Sequence, residues 1–227
     1  MRALRGTVWW PLVAVLCWSW AAWGDPARPE QTRVHIGFGA AISDEEVVRS
    51  VEQHPVAPAA VFMWASGLTG THRAYEPMGV RDLVKAARAS TIQSFEKGLK
   101  RTAARAQAFL DGHTAGEIAA DESLQTQARS LLNLKSQLEG ALAVARAGHP
   151  LVFGLEVTGD PASLARLVEE PLVRDVESAE TVAEETRARR SVKPTTYDAE
   201  YRDPTVQTIS PNTLHSALAD FAATQER

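Results

Sequence analysis

The alternation of apolar and polar positions near the start of the chain predicts a β-strand followed by a helix. Within residues 32–38, the apolar Val34, Ile36 and Phe38 alternate with Arg33, His35 and Gly37. Ser43 and Glu46 then have the spacing of a helix capping box. One apolar helical stripe follows, formed by Val47, Val48 and Val51. Pro55 ends this helix, and residues 59–64 predict a second strand.

The same order of elements recurs near the other end of the chain. Residues 151–158 predict a strand, and Asp160 is a suitable N-cap with Pro161 at the first helical position. The apolar stripe of this helix is Leu164, Leu167 and Val168. Pro171 ends the helix, and residues 172–176 predict another strand.

The two units align residue by residue at a constant offset. The matching pairs are Gly37 with Gly154, Ser43 with Asp160, Val47 with Leu164, Arg49 with Arg166, Val51 with Val168, and Glu52 with Glu169. We interpret this as structural repetition of a βαβ unit, although two unrelated short units with amphipathic helices would also look alike. Neither unit can bury its apolar surface alone. The predicted fold is therefore α+β: two βαβ halves forming a ferredoxin-like antiparallel sheet.

Residues 79–148, between the halves, contain no proline and have apolar positions in steps of three and four. The first series is Ile92, Phe95, Leu99, Thr102, Ala106 and Phe109; the second is Leu124, Ala128, Leu131, Lys135, Leu138, Leu142 and Ala145. A break over residues 111–116 offers Gly112 as a C-cap and Thr114 with Glu117 as a capping box. We expect a long antiparallel helical hairpin, with arms of about 30 residues or roughly 45 Å.

The N-terminal segment has the pattern of a secretory signal peptide. Arg2 and Arg5 precede an uncharged apolar run over residues 8–23, and the small residues Ala22 and Gly24 lie just before Asp25. An uncleaved membrane anchor is the alternative, although the run is shorter than the roughly 20 residues that span a bilayer. The single cysteine, Cys17, lies inside this segment, so the mature chain would have no disulfide.

The complete predicted organisation has five parts. They are a signal peptide (1–24), the first βαβ half (32–78), the helical hairpin (79–148), the second βαβ half (149–182), and a polar tail (183–227). A short helix over residues 212–222 is expected in this tail, since Leu214, Leu218 and Phe221 share one face.

Composition and motifs narrow the class of function. The net charge is −4, which argues against nucleic-acid binding because that function usually needs a basic face. The six histidines have no metal-ligand spacing, and no nucleophile motif or phosphate-binding loop occurs. We therefore predict no catalytic residue, no metal and no cofactor.

The most unusual local stretch is residues 64–77, which combines aromatic, glycine and hydrogen-bonding residues. Such mixtures occur in binding loops. The candidate binding residues are Trp64, Thr69, His72, Arg73 and Tyr75. The alternative is a Gly-rich turn or β-bulge with a purely structural role.

These patterns favour a non-catalytic exported interaction or scaffold module that contacts another protein through the helical hairpin. A peptide-binding or protease-inhibitor-like module is the first alternative. The second is an enzyme whose site is assembled from distant residues, for which His72, Arg73 and Tyr75 are the leading candidates. The basic residues of the first helical arm indicate a solvated face, or else contact with an anionic surface. Membrane attachment is expected only through an uncleaved N-terminal segment, and the sequence does not indicate an oligomeric state.

Overall fold

The computed structural model describes residues 31–178 and 202–224. Contacts divide the chain into Met1–Gln31 and Thr32–Arg227, and every described helix and strand belongs to the second unit. The predicted signal peptide over residues 1–24 and residues 179–201 of the predicted halves and tail lie outside the described residues.

Seven α-helices, five strands and one short 3₁₀-helix occur in the described part of the chain. In chain order they are β1 (Thr32–Ile42), α1 (Asp44–Glu52), β2 (Ala57–Ala65), β3 (Leu68–Arg73), α2 (Val80–Gly112), α3 (Ala115–Ala120), α4 (Glu122–Arg146), β4 (Val152–Gly159), α5 (Pro161–Val168), β5 (Val173–Ser178), α6 (Pro204–Gln207), the 3₁₀-helix (Pro211–Thr213) and α7 (Leu214–Thr224).

The five strands form one antiparallel sheet in the order β3-β2-β4-β1-β5. A long helix, α2, lies in the chain between β3 and β4. The predicted mixed α+β class is therefore confirmed. The sheet is irregular in places, since the β1–β4 register shifts between Gly37 and Ile42, and the β1–β5 register shifts between Gly37 and Phe38.

The predicted caps begin α1 and α5. Ser43 accepts a hydrogen bond from the backbone of Glu46, whose carboxylate accepts one from the backbone of Ser43. Asp160 accepts from two backbone amides at the start of α5, with Pro161 at the first helical turn. These bonds satisfy amides that would otherwise have no partner within the helix.

The helices α2 and α4 pack against each other and against α7. The residues predicted to share one stripe are buried or half-buried, and Phe95, Leu99, Ala128 and Leu138 are among those in the core. Lys135, a cation in this stripe, lies 5.6 Å from the centre of the Phe221 ring in α7, where a cation–π contact is favourable.

The break between α2 and α4 differs in detail from the prediction. Gly112 is the last residue of α2, and the residue that caps it is His113, in an extended conformation. The predicted C-cap at Gly112 is therefore wrong by one residue. The Thr114–Glu117 capping box is confirmed, but it begins the short helix α3, and Asp121 then caps α4 separately.

The segment predicted as a binding loop is mostly regular strand, so the predicted loop conformation was wrong. Trp64 lies in β2, and Thr69, His72 and Arg73 lie in β3. A two-residue turn of Ser66 and Gly67 joins the two strands. Both turn residues have positive φ, at 48° and 81°, which is the backbone that a tight hairpin with right-handed twist requires.

The helices α2 and α5 contact the same face of the sheet. The Thr91 hydroxyl in α2 lies 3.5 Å from the Met63 sulfur, and Leu164 in α5 lies beside Gly159. Side chains alternate between the two faces of a strand, so Phe62, Trp64 and Glu156 point to the opposite face. We call this opposite surface the open face. None of the helices in the described ranges is long and apolar enough to cross a membrane.

Candidate functional site: the open face of the sheet

One row of directly paired residues crosses all five strands on the open face. From β3 to β5 the row consists of Arg73, Ala60, Glu156, His35 and Glu177. Directly paired residues of antiparallel strands project to the same side, with β-carbons about 4.5–5.5 Å apart. The sheet register therefore places two acids, a histidine and an arginine side by side.

Glu156 is the buried centre of this row. Only 5% of it is exposed, and its carboxylate forms ion pairs with Arg33 and Arg73. The Arg73 guanidinium donates to Oε1 at 3.1 Å. Arg73 can reach across β2 because the intervening residue in the row, Ala60, has a small side chain. Burial of a carboxylate is tolerated only with such pairing.

His35 lies next to this cluster and stacks on Phe62, with ring centres 4.4 Å apart. Its Nε2 atom is buried and has no hydrogen-bond partner among the described residues. Burial lowers the pKa of His35 below its ordinary 6.5, and the carboxylate of Glu177 only partly opposes this effect. The imidazole is therefore neutral at neutral pH.

Trp64 provides the largest apolar surface of the open face. It is 49% exposed and lies near the turn that joins β2 and β3. Thr69 is its direct partner, and Thr71 is the direct partner of Phe62. An indole with a threonine hydroxyl beside it can pack against an apolar side chain while the hydroxyl forms a hydrogen bond with the same partner.

The five predicted binding residues do not form a single site. Trp64, Thr69 and Arg73 share the open face. His72 pairs directly with Val61, a buried residue of the helix-covered face. Tyr75 follows the end of β3 and is 96% exposed. The residues suggested first for an enzyme, His72, Arg73 and Tyr75, are therefore not brought together.

Sequence reasoning missed four residues of the open face: Arg33, His35, Phe62 and Glu156. A signal for two of them was present, because Arg33 and His35 occupy the polar positions of the alternating first strand. Glu156 is the only charged residue in the otherwise apolar strand β4. A lone acid in a buried strand indicates a partner, but local pattern cannot name that partner.

The open face combines a paired carboxylate, an aromatic stack and a half-exposed indole. The guanidinium groups of Arg33 and Arg73 both pair with the same oxygen, Oε1, of the Glu156 carboxylate, and such charge-assisted contacts are stronger than neutral ones. Across residues 31–178 and 202–224, no group of three or more His, Cys, Asp or Glu side chains could hold a metal ion.

Comparisons with protein-family models, with curated proteins and with solved structures find no match to this chain. Function is therefore inferred from the geometry of the open face and its surroundings.

Proposed function

We propose that the protein is a non-catalytic exported interaction module that works by contact with another protein. The observation that carries the proposal is Trp64, a half-exposed tryptophan on the sheet face where Arg33 and Arg73 pair with Glu156. Tryptophan and arginine are the residue types most enriched at the energetic centres of protein interfaces. A rigid sheet that presents them also loses little conformational entropy on binding.

The proposed architecture is two βαβ halves in a ferredoxin-like sheet. Leaving out β3, the strand order is β2-β4-β1-β5, in which each half contributes one inner and one outer strand. Residues equivalent under the repeat also touch each other. Gly37 faces Gly154 directly, and the side chain of Gln53 donates to Glu170, 117 positions later. Such contacts are expected near an approximate two-fold axis between similar halves.

The proposal includes an antiparallel helical hairpin made of α2 and α4. Two contacts support the antiparallel arrangement. Arg88, early in α2, donates to the backbone oxygen of Ala145 near the end of α4. Gly98, later in α2, lies against Leu138, which comes earlier in α4. The apolar stripe of the hairpin is covered by the sheet and by α7. In the described residues, the exposed large apolar side chains are Trp64, Tyr75, Val168 and Val176.

We therefore place the partner contact on the open face instead of on the hairpin. None of the four exposed apolar residues belongs to α2 or α4. The exposed hairpin surface is polar and basic, with Lys97 and Arg101 among its exposed residues, and is suited to solvent or to weak electrostatic contacts. A half-exposed tryptophan is the stronger anchor.

Export is a separate part of the proposal and rests on the pattern of residues 1–24. N-terminal sequencing of the protein recovered from outside the cytoplasm of the source cells tests it. A mature N-terminus close to Asp25 is the expected result. A full-length chain that remains in the membrane would favour the uncleaved anchor.

The contact surface can be tested by binding with matched variants. Native extracts of the source cells are passed over the immobilised protein, over Trp64→Ser, and over Lys97→Ser on the exposed surface of α2. We expect a specific partner to be retained by the parent protein and by Lys97→Ser, and to be lost with Trp64→Ser. Loss with Lys97→Ser alone would instead support contact through the hairpin. The absence of any partner in every fraction would count against the proposed function.

A second candidate function, a peptide-binding or protease-inhibitor-like module, is favoured by the edge strand β3. In the described chain β3 pairs only with β2, and an extended peptide can add to such an edge. Titration of exported proteases of several catalytic classes with the purified protein tests this candidate. The absence of inhibition in all classes would exclude the inhibitor role.

A further inference from the structure

We infer that two copies of the protein pair through β3, so that their two sheets join into one antiparallel sheet of ten strands. Among the strands of residues 31–178 and 202–224, β3 is the last on its side of the sheet, with β2 as its neighbour. Unpaired backbone groups along a sheet edge are a template for another strand. This inference concerns the edge of the sheet, so it stands independently of the proposed binding through the open face.

The hairpin geometry determines which backbone groups of β3 point outward. In a hairpin with a two-residue turn, the closing pair, here Ala65 and Leu68, is hydrogen-bonded, and hydrogen-bonded and non-hydrogen-bonded pairs alternate from there. Two bonds agree with this alternation: the Trp64 amide donates to the Leu151 oxygen in the direction of β4, and the Ala74 amide donates to the Ala59 oxygen.

The outward groups therefore belong to Thr69, Thr71 and Arg73, the partners in the non-hydrogen-bonded pairs. Each presents one amide donor and one carbonyl acceptor to the edge. One added antiparallel strand could form hydrogen bonds with the outward amides and carbonyls of all three residues.

The edge of β3 lacks the features that usually block pairing. Its six residues include no proline, and its register with β2 is regular from end to end. Its only charged residue is Arg73, whose guanidinium is turned back across Ala60 to Glu156. Charged side chains, prolines and bulges are the usual protections of an edge.

The opposite edge of the sheet is protected. β5 carries charged residues at three of its six positions, namely Arg174, Asp175 and Glu177. Its register with β1 is also interrupted. The contrast between the two edges makes β3 the edge available for association.

The β3 strand is complementary to itself around Thr71. With a two-fold axis at Thr71, each Thr71 faces its counterpart, and Thr69 faces Arg73 of the second copy. All three outward residues then find partners, and no two like charges are opposed. Cross-strand threonine pairs are favourable, and a closed two-fold contact of this kind leaves only the two protected β5 strands at the edges of the joined sheet.

The oligomeric state of the full chain tests this inference. We expect sedimentation equilibrium to show a mass that rises towards twice the monomer mass between about 1 and about 500 µM, the range in which small interfaces associate. Thr71→Lys and Thr71→Glu should each be monomeric over this range, because each places like charges opposite one another at the axis. Residue 71 is exposed, so both variants should fold.

An equimolar mixture of Thr71→Lys and Thr71→Glu should recover the dimer, since the pair at the axis then has opposite charges. A parent protein that stays monomeric would overturn the inference, as would dimers that persist in both single variants. A mixture that stays monomeric would also overturn it, because the two-fold register predicts recovery.

Discussion

Gly37 on β1 and Gly154 on β4 face each other directly across the centre of the sheet. The pair leaves a gap on the open face, and the His35 ring covers the β4 side of this gap. A β-carbon at position 154 would lie 3.0 Å from His35 Nε2. An aromatic ring over a glycine restores contact that the missing side chain would have made. The glycine pair therefore holds the His35–Phe62 stack close to the sheet.

Replacement of Gly154 by alanine should destabilise the protein. The added methyl group would lie 2.9 Å from the backbone oxygen of Ile36 and 3.0 Å from His35 Nε2, and a backbone atom cannot easily move away. We expect the free energy of unfolding in urea to fall by about 1–3 kcal/mol, as for other overpacked positions.

Gly37→Ala is the matched control, because it adds the same methyl group to the same row. Its closest new contact is the Asp175 side chain at 3.3 Å, which lies on an edge strand and can shift. We expect a loss of less than about 1 kcal/mol, since alanine also restricts the unfolded chain. Equal losses in the two variants would contradict the role given to the Ile36 and His35 contacts.

The elements with strong local signals were predicted correctly. Ser43, Thr114 and Asp160 all cap helices as expected, because an N-cap depends on a few neighbouring residues. The buried stripes of α2 and α4 also follow directly from the spacing of apolar residues.

β3 was not predicted because its sequence carries little strand signal. It has only six residues, including Gly70 and two exposed threonines, and its apolar alternation is weak. The Ser66–Gly67 pair is a turn signal, but residues 64–77 predict a binding loop or a Gly-rich turn or β-bulge, and not a further strand. Strand formation here depends on pairing with β2 and on packing under α2.

The ion-pair cluster could not be predicted from local pattern. Arg33, Arg73 and Glu156 come from three strands that are far apart in the sequence, and only the sheet register aligns them. The neighbours of His35 could not be predicted from local pattern either, because Phe62 and Gly154 lie on other strands. The alternating pattern of the first strand identifies Arg33 and His35 as polar positions, but it does not indicate that they lie near Glu156.

Gly67→Ala should destabilise the β2–β3 hairpin. Gly67 has φ of 81°, a conformation that costs a residue with a β-carbon roughly 1–2 kcal/mol. The new methyl group would also lie 2.7 Å from Gln137 Nε2, which donates to the Ser66 oxygen at 3.0 Å. We expect a total loss of about 2–3 kcal/mol in urea unfolding.

Gly148→Ala is the control that separates the cost of a positive φ at Gly67 from the cost of the close contact with Gln137. Gly148 has a similar φ of 74°, but an added β-carbon there would have no neighbour within 4 Å. We expect a loss of only about 1–2 kcal/mol. If Gly148→Ala and Gly67→Ala lower the free energy of unfolding equally, the contact with Gln137 does not contribute to the loss of stability in Gly67→Ala.

Arg88→Ala should be strongly destabilising because this residue joins three elements. Its guanidinium donates two hydrogen bonds of 2.7 Å to Asp44 of α1. It donates two more, of 3.0 Å, to the backbone oxygens of Ala145, in the last turn of α4, and His149, which follows α4. It is only 15% exposed. We expect a loss of about 2–3 kcal/mol in thermal or urea unfolding, as for hydrogen bonds to charged groups.

Arg88→Lys tests the geometry of this contact, since lysine keeps the charge but cannot form the two-pronged bond. It should remain destabilised by about 1 kcal/mol or more. Arg81→Ala is the control, because Arg81 is 67% exposed and lies 3.4 Å from Glu52. That variant should change stability by less than about 0.5 kcal/mol, and a larger effect would contradict the distinction drawn between the two arginines.

His35 should make the stability of the protein fall as the pH decreases from 7 to 5. Burial lowers the pKa of His35 in the folded state below its ordinary 6.5. Below about pH 6.5 the unfolded chain therefore takes up a proton at this position more readily than the folded chain. The resulting loss grows as the pH falls and becomes constant below the folded-state pKa. Urea midpoints at several pH values measure it.

His35→Phe isolates this contribution, because it keeps an aromatic ring on Phe62 but cannot take up a proton. The other histidines are unchanged, so the difference between the two pH profiles belongs to position 35. Carboxylates such as Glu46, whose pKa is held below 4.5 by hydrogen bonds from Ser43, act only at lower pH. We expect a flatter profile for His35→Phe between pH 7 and 5, and parallel profiles would show that His35 is not buried as described.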